Sequence, residues 1–209
     1  MSRVVEPSRT RDPARKQRIL DAAAGLIAEQ GFHAVGMADI GAAAGVTGSA
    51  IYRHFDSKSA LLVAMFDDVI DVLSANTTAI LAAAGDDREA LALLVRDQVR
   101  FAVDRRPLLQ IYGREIHNLP EEDRRRLRRK QRRYLEEWVH LVAELRPDLA
   151  DTDARALVHA AIAAIQSVLN HDSGLPAPRL AALVTGAAVA VLGIDGLPAL
   201  PAYPARAAG

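Results

Sequence analysis

The side chains best equipped for chemistry lie between Thr47 and Lys58, in the stretch TGSAIYRHFDSK. Thr47 and Ser49 bring hydroxyls, Tyr52 a phenol, His54 an imidazole, and Arg53 and Lys58 cations. Such a set offers charge and hydrogen bonds to phosphate oxygens. Arg53 has the planar fork for a two-point contact to a guanine edge, and the same fork serves a phosphate or stays solvated. Gly48 would let backbone approach closely, and Ala50 could meet a thymine methyl. His54 serves a phosphate or caps its helix. Nothing comparable points to turnover. The six His are scattered, and no HExxH, glycine-rich phosphate loop or nucleophile elbow occurs. No enzyme, catalytic residue or cofactor is expected. Asp67, Asp68 and Asp71 cluster on one predicted helix, but beside its apolar stripe, and no metal site is expected there.

Two short helices and a tight turn must position this set. Ile40, Ala43 and Ala44 follow helical spacing and can face one core. Gly45 breaks the pattern, as a residue able to take positive φ at a helix end should. Val46 plugs the turn, and Thr47 can cap the next helix with its side-chain oxygen. That second helix, Gly48 to His54, is anchored by Ile51 and Phe55 and shows Ser49, Ala50, Tyr52, Arg53 and His54 outward. The pattern is a helix-turn-helix that enters a DNA major groove.

The sequence AAGVTGSAIYRHFDSKSALL resembles the TetR family of one-component transcriptional regulators. The likeness rests on the Ala-Gly-Val, the short reader helix ending Tyr-x-His-Phe and the following Lys, with Gly31-Phe32 and Asp39-Ile40 upstream. It covers about the first sixty residues; beyond Ala60 it is one of architecture alone. It implies an all-α fold: an N-terminal three-helix DNA-binding domain and a larger C-terminal helical domain for ligand binding and dimerisation. It also implies phosphate contacts from Tyr52, from Lys58 at the head of its helix, and near Arg15 at the start of the first helix. One position departs from the family. A Thr or Ser is usual before the first short helix, where this chain has Gly36, so that phosphate contact would fall to a backbone N–H.

Composition is compatible. The chain has 209 residues, half of them hydrophobic, with 4% aromatics, no Cys, and 26 basic against 26 acidic side chains. Ala, Leu and Val favour helices, disulfides and thiol chemistry are excluded, and DNA affinity must come from local charge. No apolar run is long enough to span a bilayer and the N-terminal stretch lacks an apolar signal region, so a cytoplasmic protein without a membrane partner is expected. Residues 1–13 read as a flexible basic arm, with Arg3, Arg9 and Arg11 either loose or inserted into a minor groove. Residues 14–57 form the DNA-binding domain, 58–192 the helical ligand-binding and dimerisation domain, and 193–209 an irregular tail.

A long helix from Lys58 to about Ala84 would link the reader unit to the rest of the chain, and RRRLRRKQRR at 124–133 would form a solvated or salt-bridged face, or the edge of a pocket for an anion. The resemblance implies a ligand cavity, placed among Phe66, Ile70, Ile111, Tyr112, Trp138, Leu141 and Gln166, with His140 a further polar contact. Helices at about 154–170 and 177–192 carry apolar residues on more than one side, so they should pair with a second copy as a four-helix bundle. The function expected is a ligand-responsive repressor, released from a palindromic operator on double-stranded DNA by a small apolar or amphipathic effector. An activator, a partner-controlled regulator, or a helical small-molecule carrier without DNA binding are the alternatives.

Overall fold

The computed structural model describes residues 13–198, and all regular structure among them is helical. The expected arm lies outside the described residues except for Pro13, as does the end of the tail from residue 199. The chain divides after Met65 into two compact units. The division falls inside the long linking helix, not at its start as the pattern had suggested.

The first unit holds α1 (Pro13–Gln30), α2 (Met37–Ala43), α3 (Gly48–Ile51) and the opening turns of α4 (Lys58–Ala83). Ile19, Ala23 and Ile27 of α1 are buried with Ile40 and Ile51, and all five are at most 1% exposed. Their spacing along α1 is that of one helical face. α1 stops at Gly31, whose N–H still bonds the Ile27 carbonyl oxygen at 2.9 Å.

The second unit contains the rest of α4, α5 (Asp87–Asp104), α6 (Arg106–Glu115), α7 (Glu121–Leu145), α8 (Asp151–Gln166) and α9 (Ala177–Leu192). Single 3₁₀ turns follow α6 at Ile116–Asn118 and α8 at Ser167–Leu169. Asp86 caps α5, its carboxylate accepting the Glu89 N–H at 2.8 Å, while Glu89 reaches back to the Gly85 N–H at 2.8 Å. These are two donors that a helix start would otherwise leave free. α5 occupies the centre, and Leu91, Leu94, Val95 and Val99 belong to one core with Trp138 of α7, Val158 and Ile165 of α8, and Val184 and Ala188 of α9.

The segment after α9 is less loose than its composition suggested. Gly193 takes φ +60° and ends the helix, Ile194 is buried, and two arginines hold its backbone. Arg146 donates to the Gly193 carbonyl oxygen at 2.9 Å, and Arg88 donates to that of Asp195. Among the described residues no helix is long and apolar enough to cross a membrane.

Candidate nucleic-acid interface

Gly45 turns the chain between α2 and α3. Its φ of +66° lies in the left-handed region, which costs a side-chain-bearing residue energy and glycine little. The Val46 N–H bonds the Gly41 carbonyl oxygen at 2.9 Å, closing the turn. Thr47 is the extended residue before α3, and its carbonyl oxygen accepts from the Ala50 N–H at 2.8 Å and the Ile51 N–H at 3.3 Å. The expected side-chain cap is not made; Thr47 Oγ1 lies 3.5 Å from Ser49 Oγ, and both residues are exposed.

The reader helix is shorter than expected. Regular α-helix ends at Ile51, and Tyr52, Arg53 and His54 continue as tightened turns, with Arg53 N–H to Ala50 O at 3.2 Å and His54 N–H to Ile51 O at 2.9 Å. Tyr52 is 55% exposed, Arg53 is exposed and His54 half-buried. Ser49, Tyr52 and Arg53 thus share the solvent side of the hairpin, and Arg15 is exposed on α1.

Three expected contacts take other roles. Ala50 is only 6% exposed; its methyl packs inward beside Ile51, so it is not free to meet a thymine. The Gly36 N–H, expected to serve a phosphate, donates to Asp39 Oδ2 at 2.8 Å. A glycine cannot supply a capping side chain, and Asp39 makes the half of a capping box that remains possible. Lys58, expected to hold a phosphate, is already engaged within the unit. Its Nζ donates to the carbonyl oxygens of Phe32 at 2.6 Å and Val35 at 2.8 Å, and lies 4.4 Å from the Phe32 ring centre. The ammonium ties the α1–α2 loop to the head of α4, leaving one N–H for another acceptor.

In the second unit, Phe66, Ile70, Ile111, Trp138 and Leu141 are at most 4% exposed, and their side chains are packed in the interior. Tyr112 stands edge-on to Phe66 at 4.7 Å between ring centres, and its hydroxyl donates to Gln131 at 3.5 Å. Burial pushes the Tyr112 phenol above its ordinary value. Gln166 opens instead onto a cleft of about 370 Å³ between α6 and the end of α8, with Gln110 and Arg114. His140, considered as a polar lining residue, is exposed.

The basic run divides by partner. Arg124 and Arg125 pair with Glu121. Arg126 makes a two-point contact to Asp67 at 2.8 and 2.6 Å, and Lys130 bridges Asp67 and Asp71 at 2.8 Å each. Asp67 and Asp71 of α4 are therefore partners of α7 cations. Arg128, Arg129, Arg132 and Arg133 remain exposed.

A three-helix unit ending in a turn-linked pair, with hydroxyl, phenol and guanidinium groups outward, belongs to the helix-turn-helix class of DNA-binding folds. The sequence model described as "Bacterial regulatory proteins, tetR family" matches residues 19–65, and that described as "Tetracyclin repressor-like, C-terminal domain" matches residues 84–170. This chain belongs to the TetR family. It is 32% identical over 110 residues to the HTH-type transcriptional repressor KstR2 of Rhodococcus jostii (strain RHA1), covering 53% of this chain and 54% of that protein. To the HTH-type transcriptional regulator BetI of Rhizobium meliloti (strain 1021) it is 34% identical over 89 residues, 43% of this chain and 44% of the other. The chain thus spans about half the length of these curated relatives. A TetR-family transcriptional regulator from Bordetella parapertussis 12822 shares the fold with a TM-score of 0.74 at 24% identity, over 89% of this chain and 96% of that one.

Proposed function

We propose that this chain is a homodimeric transcriptional repressor that leaves a palindromic operator when a small amphipathic molecule binds its second unit. The observation that carries the reading is the exposed trio Ser49, Tyr52 and Arg53 on a Gly45-turned helix pair. It supplies one group able to read a base and several able to hold phosphate. The repressor named among its relatives, KstR2, supports the sign. A protein with this task is not an enzyme and works in the cytoplasm, where its DNA is.

Dimerisation through α8 and α9 is supported by their outward faces. Ala156, Ala160 and Ala163 of α8 and Ala182, Gly186, Ala187 and Ala190 of α9 are exposed, with Leu183 at 47%. Small side chains with an uncovered leucine let a second copy approach closely, and two-fold symmetry matches a palindrome. Ligand lining by Phe66, Ile70, Ile111, Tyr112, Trp138 and Leu141 requires these side chains to part, whereas Gln166 is already reachable from its cleft.

The test is a titration of duplex DNA, selected from random sequence by the purified protein, across salt concentrations. With roughly four to six phosphate contacts per subunit, log K against log salt should fall with a slope steeper than about −5. Sedimentation of the same sample should give a dimer. A flat salt response and a monomer would instead support a helical small-molecule carrier. A reporter assay with the gene deleted decides repressor against activator.

A further inference from the structure

A second cleft, of about 430 Å³, opens between α4 and α7, lined by Asp71, Ser74 and Thr77 on one side and Lys130, Arg133 and Tyr134 on the other. Its polar groups divide into spent and unspent ones. The Tyr134 hydroxyl donates to Gln98 at 2.6 Å, and the neighbouring Thr78 hydroxyl donates to the Ser74 carbonyl oxygen at 3.0 Å. Lys130 gives two of its three N–H groups to Asp67 and Asp71. The Thr77 side chain is in a residue only 4% exposed, yet its hydroxyl has no hydrogen-bond partner among the described residues. Neither the Ser74 hydroxyl nor the exposed Arg133 guanidinium has one either. Against these unspent donors stand the carboxylate of Glu137 and the second oxygen of Asp71, whose Oδ1 alone is held by Lys130. The Thr77 hydroxyl is not itself sealed from the cleft, so an acceptor placed there can reach it.

We infer that the α4–α7 cleft binds an acidic group, a carboxylate or a phosphate, held by Arg133 and the third N–H of Lys130 and completed by the Thr77 and Ser74 hydroxyls. The inference rests on the ligand-responsive reading above and gives its effector an anionic end. The remaining donors favour an acceptor-rich ligand, and Glu137 with Asp71 sets a repulsive limit on its charge. Lys130 also holds Asp71, so an anion in the cleft competes with an α4 carboxylate for the same ammonium. Occupancy of the cleft is thereby coupled to the bridge between α4 and α7.

The experiment uses the full chain and two probes, decanoate and inorganic phosphate. Binding is followed through the fluorescence of Trp138, the one tryptophan of the sequence, whose ring centre is 6.4 Å from that of Tyr134. At least one probe should saturate; decanoate alone points to a tailed acid, phosphate to a phosphorylated ligand. Arg133→Gln, at an exposed position, should weaken binding about tenfold or more, the weight of a charge-assisted contact. Thr77→Val, close in shape, should weaken it several-fold, and Glu137→Gln should strengthen it. A merely structural cleft would not give opposite responses at Arg133 and Glu137. Saturation by neither probe, or unchanged binding in Arg133→Gln, overturns the inference. Duplex binding by the probe-free protein is measured in parallel: its loss defeats the regulator reading, whereas its presence without probe binding defeats the cleft alone.

Discussion

The Lys58 ammonium sits 2.6 Å from the Phe32 carbonyl oxygen and 4.4 Å from the centre of the same residue's ring. A cation at the head of α4 thus satisfies a loop 26 residues earlier in the chain. Lys58→Met keeps the aliphatic stem and removes both carbonyl contacts. We expect it to cost about 2–3 kcal/mol of unfolding free energy, the range of hydrogen bonds to a charged group, read from urea melts. Unchanged stability with only a shallower salt slope for DNA would identify Lys58 as a phosphate ligand instead.

Tyr52 and Arg53 are neighbours on the exposed side of the hairpin but should differ in what they recognise. Tyr52→Ala is expected to weaken binding to selected and scrambled duplexes alike. Arg53→Ala should narrow the gap between them by about 1–3 kcal/mol, the discrimination of one guanine contact. Competition binding at fixed salt measures both, and a uniform loss for Arg53→Ala places it on a phosphate.

Nothing lies within 4 Å of where a Cβ on Gly45 would stand, so its constraint is backbone conformation alone. Gly45→Ala should therefore destabilise by about 1–2 kcal/mol, the left-handed penalty, without steric disruption. Denaturant midpoints check this, and Gly45→Asn should lose less.

Tyr134 and Gln98 are 8% and 4% exposed and share one hydrogen bond. Tyr134→Phe leaves the Gln98 carbonyl oxygen buried without its donor, at an expected cost of about 1–3 kcal/mol. Replacing both, with Gln98→Leu, should recover part of it, which a double-mutant cycle resolves.

Burial alone would raise the Asp67 carboxyl, but hydrogen bonds from Arg126 and Lys130 outweigh it and hold the group below its ordinary value. A depressed acid stabilises the fold above its unfolded pKa, near about 3.9, and that contribution disappears as pH falls through the lower folded value. Asp67→Asn should accordingly cost of order 1 kcal/mol at neutral pH, after solvent screening. The difference should shrink below about pH 4. Urea midpoints from pH 7 to 3 give the comparison.

Helix ends were readable because their causes are local. Gly31, Gly45 and Gly193 take positive φ where the periodic pattern stops, and Leu61, Leu62, Met65, Phe66, Val69, Ile70 and Leu73 of α4 are buried at the spacing of one helical face. The side chains misjudged are those whose partners are distant. Ala50 sits in a helix of four residues, too short for periodicity to say which side faces the core. Lys58 looked free because its acceptors are backbone carbonyls in another loop. The basic run was read as a solvated or salt-bridged face, and what the sequence could not place is its partner, because Asp67 lies 59 residues from Arg126. On α9 the apolar residues lie on two sides, Val184 and Ala188 inward and Leu183 and Ala187 outward.

Arg88 and Arg146 grip the backbone beyond α9 through main-chain oxygens, at Asp195 and Gly193. Both hydrogen bonds go to the main chain and survive a change of side chain at the exposed position 195, where only the attraction of the Asp195 carboxylate for Arg146 is lost. In a chain without any cysteine, Asp195→Cys would create a unique thiol on an anchored segment. A fluorophore attached there would report from a fixed point, giving a labelling position that leaves the interior, the reader hairpin and both clefts untouched.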